Sequence, residues 1–414
     1  AGLVGRAYNY SNTGLNQYII LLANSGGGKD AAGSGIDKIN KAMVDAKHPS
    51  IMQFVGPGTI SSPQALFKYF QEHQCFLSHI SEVGHWMQKI CSKNARDNER
   101  IMRSALLVLF DKSGHGHSIK PIVFADSAKN TVAVDSPCFS MFGDSTRKEF
   151  YKALDEDNVS EGLVSRLTII ECPDNRPVFR KEGNTLPVPE SVIEHLTRYL
   201  NAVMVINGTG VPKTVEQTAD AEEYHLQLQQ QYADKQFADR EGPLAQIWNR
   251  GHLKVLRLAA LLAIGESVEH PCVTIEHIKW ADNLVMKGIM HIAERFDAGK
   301  VGEGNMQNDQ IELMANTLLK YYNSKFTPTM EKSYSITKEM HNLKIVTYRY
   351  LHNNMVKHAC FRNDRNAVSA FKNIVQMFLQ MGHLAKFDIT KLKPGARGGE
   401  AFHISDLNGL KAKV

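Results

Sequence analysis

The sequence predicts an α/β fold: a parallel sheet covered by helices, then a helical subdomain, then a small C-terminal unit of helices and a β-hairpin. Three observations predict it. Up to about residue 175, apolar runs of strand length alternate with polar, helix-compatible stretches, as in a parallel sheet with crossover helices. Between 190 and 298 the apolar residues recur with helical period and few breakers intervene. Beyond residue 331, two helical stretches precede two short apolar runs joined by a basic glycine loop.

The first strand, Tyr18–Leu22, breaks into Ala23-Asn24-Ser25-Gly26-Gly27-Gly28-Lys29-Asp30. Strand, glycine loop ending in Lys, then helix is the arrangement that cradles the phosphates of ATP and its relatives. Ser25, Gly26, Gly27 and Gly28 let backbone N–H groups converge on phosphate oxygens, Lys29 reaches the terminal phosphates, and the helix start adds its positive dipole end. Against the pattern G-x-x-x-x-G-K-[ST], Ala23 replaces the first glycine, and Asp30 stands where a Mg²⁺-ligating hydroxyl is expected. A plain glycine turn before a helix is the alternative.

Candidate strands 52–55 and Cys75–Ile80 follow, and the second ends in Ser81-Glu82. Its distance from the glycine loop, about fifty residues, is that of the strand whose terminal Asp supports Mg²⁺ and whose Glu orients the attacking water. Glu82 is the candidate for the water. Ser81 replaces the Asp just as Asp30 replaces the hydroxyl, so these opposite departures suggest that Asp30 and Ser81 exchanged duties around one hydrated Mg²⁺. Decay of both motifs, with loss of hydrolysis, is the alternative.

Segment 110–121 carries Lys112 and Lys120 among glycines and two histidines. No Cys or carboxylate stands at ligand spacing from His115 and His117, which argues against zinc; the segment reads as a mobile loop or a plain surface hairpin. Strands are expected at 122–125, 138–143 and Leu167–Glu171, a loop at 173–189, and helices at 192–201, 219–237, 244–264 and 275–298. A glycine-containing hinge is expected at 299–308. In the tail, helices at 337–353 and 366–381 precede strands at 385–389 and Ala401–Ile404, and the loop between them holds Lys391, Lys393 and Arg397. That is a winged-helix pattern, in which the helix lies in a groove while the three cations of the wing contact phosphates. A winged helix used for protein contacts is the other reading. The expected domains are therefore a core over 1–175, a helical lid over 176–300, a linker over 301–330 and the basic unit over 331–414.

Charge placement supports a nucleic-acid partner. Residues 331–414 hold 14 Lys and Arg against 6 Asp and Glu, whereas the preceding 330 residues hold 34 against 37. All the positive excess is in the tail, the footprint of an electrostatic DNA contact or of a solvated basic face. No membrane span is evident, the longest apolar stretch near a helix being the seven residues 258–264. The six cysteines form no Cys-x-x-Cys pair, so neither a zinc site nor a disulfide framework is indicated and a reducing cytoplasm is the expected setting. The opening Ala1-Gly2-Leu3-Val4 suggests a processed or excised fragment of a longer protein.

In motif order and spacing the first 300 residues resemble the P-loop ATPase domains of phage- and plasmid-encoded primase-helicases, relatives of AAA+ machines. The resemblance implies a P-loop NTPase with an AAA+/RecA-like sheet, a helical lid and a C-terminal winged helix. It implies that 137–146 is the sensor strand, with Asp144, Ser145 or Thr146 sensing the γ-phosphate. Ser160 to Ile170 is similar to the arginine-finger segment, which makes Arg166 the residue that completes a neighbour's site; capping a helix or pairing with Asp157 or Glu161 are its other readings. Residues 248–264 look like the lid helix, with Arg250, Lys254 and Arg257 on one face and Arg250 the cation assigned to the nucleotide; an ordinary amphipathic helix has the same spacing. Loops at the place of Lys112 and Lys120 line the pore of hexameric helicases. The implied activity is ATP- and Mg²⁺-dependent translocation on single-stranded DNA by a homo-oligomeric, hexameric ring in phage or plasmid replication. A nucleotide-gated DNA-binding or assembly protein with weak or no hydrolysis is the alternative.

Overall fold

The computed structural model describes the chain except residues 93, 124–126, 128–129, 155–161, 174–185, 239, 241–243, 298–305, 363–366, 393–398 and 412–414, and except the side chains at 297, 306–309, 359, 391, 408 and 411. The fold is mixed α/β, with a parallel sheet and helical regions, in two compact units, Ala1–Gly302 and Glu303–Val414. The first is built on four strands: β1 (Tyr18–Leu22), β2 (Cys75–Ile80), β3 (Cys138–Ser145) and β4 (Leu167–Glu171). They pair in the order β2-β3-β1-β4, all parallel.

Strands covered on both faces need apolar side chains on both, and these are near-continuous apolar runs. Tyr18, Ile20, Leu22, Phe76 and Phe139 are fully buried. The Tyr18 hydroxyl donates to the Leu106 carbonyl (2.9 Å), which satisfies the one polar atom this ring takes inside. Register sets the ends of three strands level: Leu22 lies beside Ser145 on one side and Glu171 on the other, while Ile80 lies beside Gly143.

Helices α1 (Asp30–Asp45), α2 (Pro63–Glu72), α3 (Val83–Cys91), α4 (Asp97–Asp111) and α5 (Arg147–Lys152) surround the sheet. Four longer ones follow: α6 (Glu190–Thr209), α7 (Ala219–Ala238), α8 (Ala245–Glu266) and α9 (Ile275–Asp297). Helix α9 lies against β4 so closely that a Cβ at Gly288 would stand 2.6 Å from the Ile169 carbonyl oxygen. No helix among the described residues is long and apolar enough to cross a membrane.

Several expected elements differ. Residues 52–55 are not a strand: Pro49, with its preset φ, opens a 3₁₀ helix over Pro49–Phe54, and only Val55 bridges to Leu77. At 122–125 the described residues Ile122 and Val123 are irregular, and 124 and 125 lie outside the described set. The stretch expected as a linker carries α10 (Met306–Asn323), whose Met314, Ala315, Leu318 and Tyr321 are fully buried in the core of the second unit. The helix expected over 337–353 is broken, because Lys344 takes a left-handed φ of 57° and the β-branched Ile345-Val346-Thr347 forms β5 (Ile345–Thr347). Thr347 then caps α11 (Tyr348–Met355).

The second unit adds α12 (Ala367–Gln380), β6 (Leu384–Phe387) and β7 (Ala401–Ile404), with β7 pairing antiparallel to both β5 and β6. Its core includes Phe361, Phe371 and Phe378, all unexposed.

One closely packed histidine pair predicts acid sensitivity in the first unit. His225 of α7 and His252 of α8 face each other with ring centroids 4.6 Å apart, and Tyr10 stacks on His225. Burial lowers the pKa of His225, and burial with repulsion from His225 pushes His252 down to about 4. Both folded-state values lie below the unfolded one, so the unfolded chain binds more protons and stability falls as pH drops from about 6.5 towards 4. Over that window, wild type should lose on the order of 2–3 kcal/mol more unfolding free energy than His252→Phe, measured by urea titration. Parallel pH profiles would show that the pair carries no such penalty.

Candidate functional site at the carboxyl ends of the strands

The loop after β1 turns through Gly26 and Gly28, both at a φ of 79°, which a side chain would strain. Gly27 N–H closes the turn on the Asn24 carbonyl (2.9 Å), Ala31 N–H bonds to the Gly28 carbonyl (3.0 Å), and α1 begins at Asp30. Ser25, Gly26 and Gly28 are exposed. The first N–H groups of a helix have no intrahelical partner, so this loop offers donors and a positive dipole end at the carboxyl edge of a central strand. Open α/β sheets bind ligands at that edge.

Lys29 is the hub of the edge. Its Nζ lies 2.5 Å from Glu82 Oε1, 3.0 Å from Asp144 Oδ1 and 3.5 Å from Asp30 Oδ1, with its side chain 10% exposed. Burial alone would lower its pKa, but the hydrogen bonds to Glu82 and Asp144 outweigh it and raise the value well above the ordinary one. Asp144 is the most desolvated member, at 1% exposure, and its second oxygen, Oδ2, lies 2.9 Å from His79 Nε2. Glu82 is half exposed, takes a left-handed φ of 51° and stands at the start of α3. A non-glycine residue there is uncommon and marks a locally determined turn.

The three sensor candidates separate. Only Asp144 touches Lys29. Ser145 is fully buried, with its Oγ packed where a Cβ on Gly84 would stand 2.4 Å away. Thr146 caps α5 by accepting from the Glu149 N–H. Asp30 and Ser81 are both exposed. Among the described residues no three His, Cys, Asp or Glu side chains are grouped to hold a metal ion.

The expected lid and finger cations lie at the other end of the sheet. Arg166 immediately precedes β4, whose first residue, Leu167, is level with Tyr18, the first residue of β1. Its side chain is 9% exposed, and its guanidinium is held by Asp111 and by the Gly162 carbonyl. Arg250 reaches the same Asp111 oxygen at 3.4 Å. It therefore sits at the amino edge of the sheet and not at the glycine loop of its own chain. Lys254 donates to the Leu167 carbonyl (2.8 Å) in full burial, which pushes its pKa down to about 7. Arg257, buried over the Phe110 ring, donates to Thr13 Oγ1 and the Phe110 carbonyl.

Sequence reasoning misses His79 and a cluster around Glu171. Arg147 Nε lies 2.8 Å from Glu171 Oε2, the Tyr151 hydroxyl donates to Oε1, and Arg295 of α9 approaches to 3.9 Å. Glu171 ends β4 beside Leu22, so two cations from separate helices flank the loop edge. Of the nucleic-acid candidates, Lys112 and Lys120 are exposed, on either side of the short strand Ser118–Ile119. Lys393 and Arg397, and the side chain of Lys391, lie outside the described residues, as do Asp157 and Glu161.

No family model matches this chain, and no curated protein does. Among solved structures it is similar to the Aeropyrum pernix ORC2 protein in its ADP form, with 10% identity, 97% of this chain and 88% of that chain covered, and a TM-score of 0.25. The ADPNP-ADP complexes of the same protein match with 11% identity, 97% and 87% coverage, and a TM-score of 0.25. Likeness at that level carries no assignment.

The Arg166 pairing has a measurable consequence. Arg166→Ala should lower the unfolding free energy by about 2 kcal/mol, less than the roughly 3–5 of a fully buried pair because Asp111 is a third exposed and keeps Arg250. Chemical denaturation measures it, and a loss below about 0.5 kcal/mol would place Arg166 among ordinary surface residues.

Proposed function

We propose that this chain binds a nucleoside triphosphate, ATP foremost, at the glycine loop and Lys29, and that the bound nucleotide gates DNA contact or assembly with slow hydrolysis or none. The observation that carries the reading is Lys29: a desolvated ammonium between a glycine loop at a helix start and carboxylates from two neighbouring strand ends. Two features favour gating over rapid turnover. Glu82, the group available to orient water, is taken up by Lys29, and Ser81 offers a hydroxyl where a metal-supporting carboxylate would serve. A Mg²⁺ ion would enter with the nucleotide, held by phosphate oxygens and by Asp30 or Glu82, and would neutralise developing charge on the phosphates.

The DNA partner is inferred from the basic tail and from α12, whose Lys372, Asn373 and Gln376 are exposed on one face and are residue types that contact phosphates and base edges. A P-loop NTPase with a lid and a winged helix, working as a ring helicase, is the second reading. Glu82 standing just past the end of β2 is the observation in its favour, and it requires Glu82 to leave Lys29 and Arg166 to leave Asp111 for a neighbour's phosphates.

The test is binding of N-methylanthraniloyl-ATP with Mg²⁺. Lys29→Ala should weaken it roughly 10- to 150-fold, and unchanged affinity in a folded variant would remove the reading. Turnover should stay below about 1 s⁻¹, the low end for ordinary enzymes, with or without single-stranded DNA. Faster, DNA-stimulated turnover would transfer the assignment to the helicase.

Gating is read from DNA affinity, which ATP should change by about 5- to 150-fold. Replacing Lys391, Lys393 and Arg397 together by Ser should flatten the salt dependence, by about 0.7–0.9 in log–log slope for each phosphate that is no longer neutralised. An unchanged slope would exclude the wing from the DNA interface.

A further inference from the structure

His79 has no assigned role in the strand motif that contains it, yet its ring lies between the helix that follows the glycine loop and the carboxylate that holds Lys29. Nε2 is 2.9 Å from Asp144 Oδ2, and the side chain is 24% exposed. On its other side the ring packs on Gly33 of α1, where a Cβ would stand 2.0 Å from Cε1. The helix can approach only because residue 33 has no side chain. Phe142 approaches the ring at 5.5 Å between centroids.

We propose that His79 is a positioning residue of the phosphate-binding site, holding Oδ2 of Asp144 so that Oδ1 alone meets Lys29, and remaining the partner of that carboxylate when Lys29 turns to a phosphate. The inference rests on the nucleotide reading above. Asp144 is 1% exposed, and its described side-chain partners are Lys29 and His79. A buried carboxylate left without a partner is strongly unfavourable. Without His79, moving Lys29 to a phosphate would strand that charge, so the carboxylate would hold the lysine back and nucleotide binding would weaken. With His79 in place, Asp144 keeps a hydrogen bond before and after the lysine moves. A neutral Nε2–H suffices for this, so the donor position matters rather than the imidazole charge. The Gly33 packing fixes the ring, which fixes the donor.

The experiment uses the full chain and N-methylanthraniloyl-ATP with Mg²⁺, with folding of each variant checked by thermal melting. His79→Leu should weaken binding about tenfold or more, the worth of a hydrogen bond to a charged group. His79→Gln, whose amide nitrogen can take the place of Nε2, should stay within about threefold of wild type. Gly33→Ala should weaken binding by displacing the ring, and should add less than about twofold once His79 is Leu. In an Asp144→Asn background, which has no buried charge to strand, His79→Leu should change affinity by less than about twofold.

Wild-type affinity in His79→Leu, equal losses in His79→Gln and His79→Leu, or an undiminished His79→Leu loss in the Asp144→Asn background would each overturn the inference. If His79→Leu does not fold, Gly33→Ala decides: weakened binding supports the inference, and wild-type affinity overturns it. A folded wild type that does not bind the probe overturns the nucleotide reading itself. Binding that Lys29→Ala abolishes but His79→Leu leaves intact overturns this inference alone.

Discussion

One ammonium group organises the carboxyl edge of the sheet. Lys29 draws carboxylates from the end of β2, the end of β3 and the start of α1 to the single nitrogen of a side chain that is nine-tenths buried. A desolvated cation persists only with partners, so this contact ties the glycine loop to the register of the strands beneath it. The pairing of Leu22 with Ser145 and of Ile80 with Gly143 brings residues 82 and 144 to the same level as the loop. Three carboxylates around one ammonium leave the edge electronegative. A polyphosphate entering it must either take Lys29 from Glu82 or bring a cation of its own.

The amino edge of the sheet uses its cations differently. Arg166, Arg250, Lys254 and Arg257 gather around the end of α4 and the start of β4, where they meet Asp111 and the carbonyls of Phe110, Gly162 and Leu167. The Phe110 carbonyl is among the last of its helix and has no intrahelical partner, so Arg257 satisfies an acceptor and sits at the negative end of the α4 dipole at once. These side chains hold α8 against the sheet. The positive charges at the two edges therefore do different work, one facing an open loop and the other filling a closed seam.

That division explains what can be read from the sequence. The four strands of the sheet are legible because parallel strands buried on both faces need continuous apolar runs, and Tyr18–Leu22, Cys75–Ile80 and Leu167–Glu171 are such runs. Local pattern singles out the glycine loop, Lys29 and Glu82, the family resemblance adds Asp144, and the structure brings the three charged groups together. The shared face of Arg250, Lys254 and Arg257 is legible too, but a spacing of four and three residues fixes a helix face without saying what that face meets. Here the face meets the core, with carbonyls as partners. His79 escapes notice because alternation in β2 gives no sign that its ring would meet Asp144, sixty-five residues away. The helix over Met306–Asn323 reads as a linker because the glycines at 302 and 304 dominate the local pattern, whereas Met314, Leu318 and Tyr321 reveal their periodicity only against the core they fill.

The left-handed turn at Glu82 links holding the lysine to releasing it. A non-glycine residue at a φ of 51° stores of order 1 kcal/mol, which the surrounding contacts must offset. The short bond to Lys29 is the strongest contact the Glu82 side chain makes. A phosphate that takes the lysine therefore removes the interaction that offsets the strained turn. Glu82 is then free to move or to accept a new partner, while Asp144 stays buried with His79. Under the nucleotide reading proposed above, the two carboxylates that share this cation would in this way part on binding. Under that reading the exposed one loses its cation partner, and the buried one stays fixed in the sheet.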